Sequence, residues 1–167
     1  MNSVKKAIYP GSFDPVTKGH LDVIARACGV FDHVVIAVAN NQNKDPLFTI
    51  EERIDLVQNA VADTGLADRL EVKPLDGLLV DFAKEEGIHA VIRGLRAISD
   101  FEFEFQLALM NRSLAPKIET IFLMPTEEFT YLSSSIVKEV ARLGGDVSAF
   151  VPPATREALT KRFASPS

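Results

Sequence analysis

The chain has 167 residues and a mass of 18.3 kDa, with 47% hydrophobic and 25% charged residues, a composition ordinary for one globular domain with a real core. A formal net charge of −5 and a pI near 5.2 argue against a general nucleic-acid binder or a membrane-surface binder, because both rely on broad positive fields; a local cationic pocket stays compatible. One cysteine, Cys28, excludes an intrachain disulfide and a thiolate zinc cage, and no segment approaches the roughly 18 to 20 apolar residues of a membrane span, so residues 1–167 read as a single cytoplasmic domain.

In chain order, Lys6–Tyr9 is a first short strand, and a loop punctuated by Pro10, Gly11, Pro15 and Gly19 follows it. Leu21, Ile24, Ala25 and Cys28 then share the i, i+3, i+4, i+7 spacing of one helix face. A helix entered from such a loop presents unpaired N–H groups and a partial positive charge, which suits a phosphate, and His20 sits at that entrance. Val34–Ala39 is a second strand. Thr49-x-x-Glu52 is a capping box ahead of Ile50, Ile54, Val57 and Val61. Leu70–Val72 is a third strand, and Leu78–Glu86 a shorter helix with Leu78, Leu79, Phe82 and Ala83 inward, ended by Gly87. Ala90–Ile92 is a fourth strand. Ser99-x-x-Glu102 is a second capping box, opening a helix through Leu114 that Pro116 stops. Glu119–Leu123 is the fifth strand, and Ser133–Leu143 and Pro153–Phe163 are closing helices before a frayed end at 164–167. Strands alternating with helices predict a doubly wound α/β fold, Rossmann-like, with a five-stranded parallel sheet.

In such a sheet ligands sit outside the carboxyl ends of the strands, near the point where strand order reverses. The segments there are Gly11–His20, Asn40–Lys44, Pro74–Leu79, Arg93-Gly94-Leu95-Arg96 and Pro125–Ser135. Lys44, Arg93 and Arg96 bring cations to those ends of an acidic chain, and Ser133, Ser134 and Ser135 place hydroxyls at another helix start, so the implied ligand is polyanionic. His33 and His89, each ahead of a strand, read as solvated loop residues. The helix from Ser99 carries two apolar stripes, Phe101, Phe105, Ala108 and Phe103, Leu107, Met110, Leu114, and a helix apolar on so many sides is expected to be covered, as between subunits.

Neither G-x-x-x-x-G-K-[ST] nor G-x-G-x-x-G follows any of the strands, which removes the main support for a P-loop or dinucleotide-binding reading. Gly11-Ser12-Phe13-Asp14-Pro15 with Thr17-x-Gly19-His20 resembles instead the T/H-x-G-H signature of the nucleotidyltransferase superfamily. Ordered segments along nearly the whole length, among them Thr49-Ile50-Glu51-Glu52-Arg53, Gly77–Phe82, Ile92–Arg96, Asp100–Glu104 and Tyr131–Ser135 with Val137-Lys138-Glu139, resemble the phosphopantetheine adenylyltransferase family, which serves coenzyme A biosynthesis. The departures are Ser12 where some members carry Thr, Phe129 where some carry Trp, and Phe103 where Tyr is common.

That resemblance implies transfer of the adenylyl group of ATP to 4′-phosphopantetheine, giving dephospho-coenzyme A and pyrophosphate. It implies catalytic roles for His20, Ser12, Lys44 and Arg93, and acceptor binding by Ser12, Lys44, Leu79 and Arg93. The ATP side would be formed by Ser12, Phe13, His20, Gly94, Leu95, Arg96 and Glu104, with Phe129, Thr130, Tyr131, Leu132, Ser133, Ser134 and Ser135 closing over the nucleotide. Mg2+ is expected with the ATP phosphates, held mainly by substrate and water with no protein ligand named, and the assembly implied is a homohexamer. Without the resemblance, Arg93, directly after an apolar strand, needs a partner that a structural salt bridge would also supply, Glu104 is open to a solvent-facing helix position, and the serines to capping alone. Nicotinamide mononucleotide, a cytidylyl acceptor, and a regulatory nucleotide-binding domain without chemistry are the alternatives.

Overall fold

A computed structural model describes residues 3–40, 45–96 and 98–164, with backbone alone at Ile98 and Ser99. The apolar runs form β1 (Lys6–Gly11), β2 (His33–Ala39), β3 (Leu70–Leu75), β4 (Ala90–Gly94) and β5 (Glu119–Leu123), all parallel, in the order β3-β2-β1-β4-β5. Parallel neighbours need long crossovers, supplied by α1 (Lys18–Cys28), α2 (Ile50–Ala62), α3 (Leu79–Glu86) and α4 (Ile98–Leu114); α5 (Ser134–Arg142) and α6 (Pro153–Phe163) follow β5. The fold is the doubly wound α/β arrangement expected from the alternation of elements.

Both faces of the sheet are covered, which is why its central strands read as continuous apolar runs. Ala7 and Tyr9 of β1 pack with Ile24 of α1, Val57 of α2, Val137 of α5 and Leu159 of α6 in one buried cluster. Ile8, one residue out of phase, joins Val80 and Ala83 of α3 and Val91 of β4 in the other.

On one side β1 is paired with β2 along its full length, from Lys6 opposite His33 to Gly11 opposite Val38. On the other it meets β4 at Ile8 opposite Val91. Pro10 has no N–H to give, and its carbonyl accepts from the Arg93 side chain, Nη1 at 3.3 Å. The two strands part there, at the point where strand order reverses.

The strands run further than their apolar cores suggest, β1 through Pro10 to Gly11, β3 through Pro74 to Leu75 and β4 through Arg93 to Gly94. Pro74 is tolerated because β3 is an edge strand. In α1 the buried face is Val23, Ile24, Ala27 and Cys28, not the Leu21, Ala25 stripe. Val23 is the bulkier partner and lies against Gly94, where an added Cβ would come within 3.2 Å of its Cγ2. The Thr49 and Glu52 capping box forms as expected, but α2 buries Arg53, Leu56, Val57, Ala60 and Val61, leaving Ile50 and Ile54 partly covered. In α3 Val80 replaces Leu78 on the inner face; Leu78 is exposed, and Gly87 ends the helix at φ 65°. Helix α4 begins at Ile98, so Ser99 lies inside it and is not its cap. His33 opens β2, half-buried and 3.6 Å from Glu71 Oε2, instead of lying in a solvated loop. Short 3-10 turns at Ala67–Arg69 and Glu127–Phe129 have no counterpart in the sequence pattern.

Candidate active site

The parting of β1 and β4 opens a cleft of about 510 Å³ at the carboxyl ends of the strands, within the size range of small-ligand sites. Its floor is the turn from β1 into α1. Thr17, at the helix N-cap, accepts from the His20 backbone N–H at 3.3 Å, and its own N–H donates to His20 Nδ1 at 2.9 Å. This is a capping box with histidine in the place usually held by glutamate. Because Nδ1 accepts that bond it carries no proton, so the neutral ring bears its hydrogen on Nε2. Burial, helped by the nearby Arg96 charge, pulls the His20 pKa down to about 4. At neutral pH His20 is therefore an uncharged hydrogen-bond donor on the cleft wall.

Ahead of it, Phe13 is buried with φ 47°, a left-handed conformation that a bulky residue adopts only when its surroundings impose it. Three ties do so. Its ring packs edge-on to Tyr9 at 5.4 Å and against the His20 ring at 4.8 Å. Asp14, buried, accepts from the backbone N–H groups of Leu47 at 2.9 Å and Phe48 at 3.0 Å and pairs with Lys138 at 2.9 Å. The Ser12 carbonyl accepts from Arg53 Nη1 at 2.7 Å, and the same nitrogen donates to Ala39 O at 2.8 Å.

The β4 wall carries Arg93, which grips Glu104 of α4 through two bonds, Nε to Oε2 at 2.8 Å and Nη2 to Oε1 at 2.6 Å. Burial opposes the Arg93 charge, but the Glu104 carboxylate outweighs it and holds its pKa above the ordinary value. Arg96 bonds Asp100 Oδ2 at 3.2 Å and Leu132 O at 2.9 Å, tying the end of β4 to the segment before α5. At the far end of that segment Ser133 caps α5 by accepting from Ile136 N, and the Ser134 hydroxyl donates to Pro15 O at 2.8 Å. Asp22 of α1 fastens its near end, accepting from Thr126 N at 2.7 Å and from Thr126 Oγ1 at 2.8 Å.

Of the residues expected at the site, Ser12, Phe13, His20, Arg93, Gly94, Arg96, Glu104, Phe129, Leu132, Ser133, Ser134 and Ser135 line the cleft. Lys44 lies outside the described residues. Leu79 opens α3 against the second core cluster, and Leu95, Thr130 and Tyr131 are not on the cleft wall; Leu95 N–H donates to Leu123 O, and Tyr131 is 84% exposed. Glu104 does not face water: it is buried on Arg93. Asp14, Arg53 and Lys138 line the cleft although no role was assigned to them from sequence. Arg53 had a legible signal, a charge on the buried stripe of α2, where a cation must find acceptors. The cleft is thus less cationic than strand-end counting implies: Arg93, Arg96 and Lys138 each already hold a carboxylate. The Lys18 and His20 backbone N–H groups of α1 are taken by Phe150 O and Thr17 Oγ1, so the donors available to an anion are those the cations have left, Nε2 of His20 and the opening residues of α5.

Residues 8–140 match the model of the cytidylyltransferase-like family. A phosphopantetheine adenylyltransferase of Methylobacillus flagellatus is 52% identical over 159 residues, 95% of this chain and 98% of the relative. The enzyme of that name from Methylacidiphilum infernorum is 54% identical over 160 residues, 96% and 92% of the two chains. Among solved structures, nicotinic acid mononucleotide adenylyltransferase of Plasmodium falciparum superposes with a TM-score of 0.73 at 16% identity, covering 95% of this chain and 96% of the other. A bifunctional NMN adenylyltransferase/ADP ribose pyrophosphatase of Francisella tularensis gives a TM-score of 0.75 at 16% identity, covering 98% of this chain and 51% of the other. The structural likenesses establish a common fold.

Proposed function

The chain belongs to the phosphopantetheine adenylyltransferases, within the cytidylyltransferase-like family, and acts as a nucleotidyltransferase making dephospho-coenzyme A; we propose that ATP and 4′-phosphopantetheine meet in the cleft between β1 and β4. The observation that carries this assignment of the cleft is His20, neutral, with its proton on Nε2 and its ring braced by Phe13.

The acceptor is a phosphate monoester, already ionised near neutral pH, so the site needs no general base to create its nucleophile. An oxygen of that phosphate attacks the α-phosphorus of ATP, the bond from that phosphorus to the bridging oxygen breaks, and pyrophosphate leaves with its electron pair. The protein holds two polyanions in line and offsets the charge gathering on the α-phosphate. His20 Nε2–H supplies a hydrogen bond to that centre. Because the imidazole is neutral it serves as a fixed dipole and gives up no proton. Ser12 and the Phe13 backbone hold the phosphates at the turn, Arg93 adds its remaining N–H groups on the acceptor side, and Arg96, Glu104, Phe129 and the Ser133–Ser135 turn frame the nucleotide. Lys44 completes the acceptor end as the resemblance implies.

Among the described residues no group of three or more acidic, histidine or cysteine side chains is placed to hold a metal ion, and three of the four cleft carboxylates, Asp14, Asp100 and Glu104 but not Asp45, are each engaged by a cation. These residues do not form a magnesium cage, so Mg2+ would enter with the ATP phosphates, and no step is assigned to it. No helix among the described residues is long and apolar enough to cross a membrane, and a cytoplasmic location is part of the proposal. So is a homo-oligomer, the hexamer implied by family: Phe101, Phe103, Phe105, Met110 and Leu114 are all exposed on α4, an apolar face that a second copy would cover.

The test is an acceptor screen. Incubated with ATP and, in turn, 4′-phosphopantetheine, nicotinamide mononucleotide and a cytidylyl acceptor with CTP, the protein is expected to release pyrophosphate with the first alone and to form dephospho-coenzyme A by mass. Turnover with another acceptor instead would overturn the substrate assignment, and nucleotide binding without pyrophosphate release would favour a regulatory domain.

A further inference from the structure

Arg53 stands apart from the other cations of the cleft. It is 3% exposed, on the face of α2 that also buries Leu56, Val57 and Ala60. Where Arg93, Arg96 and Lys138 hold carboxylates, its guanidinium holds backbone carbonyls: Phe48 O through Nε at 3.2 Å, and Ser12 O and Ala39 O through Nη1 at 2.7 and 2.8 Å. Burial lowers its pKa, opposed by the more distant charges of Asp14 and Glu51. A buried charge that costs this much desolvation, satisfied by backbone and open to the cleft, has a task that an apolar residue could not perform.

The acceptors indicate the task. Ala39 ends β2, Phe48 precedes the Thr49 cap of α2, and Ser12 begins the turn in which Phe13 holds φ 47°. A side chain joining all three replaces, with one planar fork, the ladder bonds that the strand ends have lost. It also orients the Ser12–Phe13 peptide: in a trans peptide the N–H is antiparallel to the C=O, so fixing the Ser12 carbonyl on Nη1 fixes the direction of the Phe13 N–H.

We propose that Arg53 is a positioning residue for adenylyl transfer, setting the Gly11–Asp14 turn so that Ser12 and the Phe13 N–H meet the reacting phosphates in register with His20. The proposal rests on the reaction assigned above. Arg53 acts through the turn and not by contact with the reacting atoms. Misplacement of a reacting group by about 1 Å costs on the order of a hundredfold in rate, and lysine, a point donor, cannot span the three carbonyls that the fork joins.

The test compares Arg53→Lys and Arg53→Gln with Val57→Ala, which opens a cavity one turn along the same helix and leaves the cleft untouched. Steady-state kinetics, thermal melts and calorimetric ATP binding are measured for each. Both Arg53 variants are expected to lose kcat by roughly tenfold to a hundredfold per folded molecule, with ATP affinity changed by less than about threefold and Lys rescuing little over Gln. Val57→Ala is expected to melt lower and keep the kcat of its folded fraction. Hydrogen exchange at the Leu47 and Phe48 amides, which Asp14 holds, should quicken in the Arg53 variants and not in Val57→Ala. Arg53 variants with kcat within twofold of the parent, or with losses that only track the unfolded fraction as in Val57→Ala, overturn the proposal. A parent protein that releases no pyrophosphate would instead refute the reaction assignment, and the exchange rates would then decide the positioning claim alone.

Discussion

The two sides of β1 are built from one strand and do opposite things. Toward β2 the backbone pairs along its whole length, and Val34, Val35, Ile36, Ala37 and Val38 opposite are all buried. Toward β4 the pairing stops at Ile8, Pro10 gives no hydrogen, and the space beyond is lined by Arg93, Glu104, Asp14 and His20. Stability on the first side comes from apolar burial and a completed ladder. On the second, the Pro10 carbonyl is satisfied by the Arg93 side chain, and beyond the strand end Arg53 takes Ser12 O together with Ala39 O of β2. The lesson is that a doubly wound sheet obtains its site by leaving one seam of its centre unfinished and filling that seam with long, directional side chains. A substitution in the closed seam should cost stability, and one in the open seam should cost rate.

The sharpest way to break that division is Ile36→Ala in the closed seam. Ile36 is fully buried, and its truncation is expected to cost roughly 3 to 4 kcal/mol by lost transfer energy and cavity. Denaturant unfolding would read the loss, with kcat per folded molecule unchanged. A fall in kcat beyond the unfolded fraction would mean that the seams are coupled. The open-seam counterpart is His20→Ala, expected to lower kcat by roughly a hundredfold or more, about 2.7 kcal/mol, the loss typical of one oxyanion donor. Ground-state ATP affinity should move far less, and the melting temperature should fall only by the loss of the bond from the Thr17 N–H to Nδ1 and of the Phe13 contact, about 1 kcal/mol, well short of the loss in Ile36→Ala. A variant whose activity only tracks its unfolded fraction would place His20 with Ile36 as a structural residue.

The closed seam was largely legible in the sequence. Runs such as Val34–Ala39 can hardly be anything but a strand buried on both faces, and the Thr49, Glu52 box marked the start of α2 because capping is a local code. Pro153–Phe163 was bounded by proline at one end and the loss of periodicity at the other. The open seam was legible at His20, where loop, glycine and strand converge within a few residues. It was not legible where partners are far apart in the chain: Asp14 with Lys138, Arg53 with Ser12, and Arg93 with Pro10 have no spacing that a period could reveal. Periodicity does not choose the face of α1, because Leu21, Ala25 and Val23, Ala27 fit it equally well, and the contact of Val23 with Gly94 decides between them. Ser99 misled because a capping box repeats easily by composition, whereas the backbone enters α4 one residue earlier.

The central claim is that the open seam holds His20 as a neutral donor, and NMR titration of its ring nitrogens tests it most directly. The expected result is an acceptor-type Nδ1 and a protonated Nε2 at pH 7, with titration near pH 4. The sign for stability follows: a folded-state pKa below the unfolded value of about 6.5 means that the unfolded chain binds the proton first, so His20 lowers stability as pH falls from about 6.5 through 4 and has no such effect above it. That slope should vanish in His20→Ala. A ring that titrates near 6.5, or one that carries its proton on Nδ1 at neutral pH, would contradict the account, because the Thr17 amide would then not be setting the tautomer and the cleft would hold no fixed Nε2–H donor.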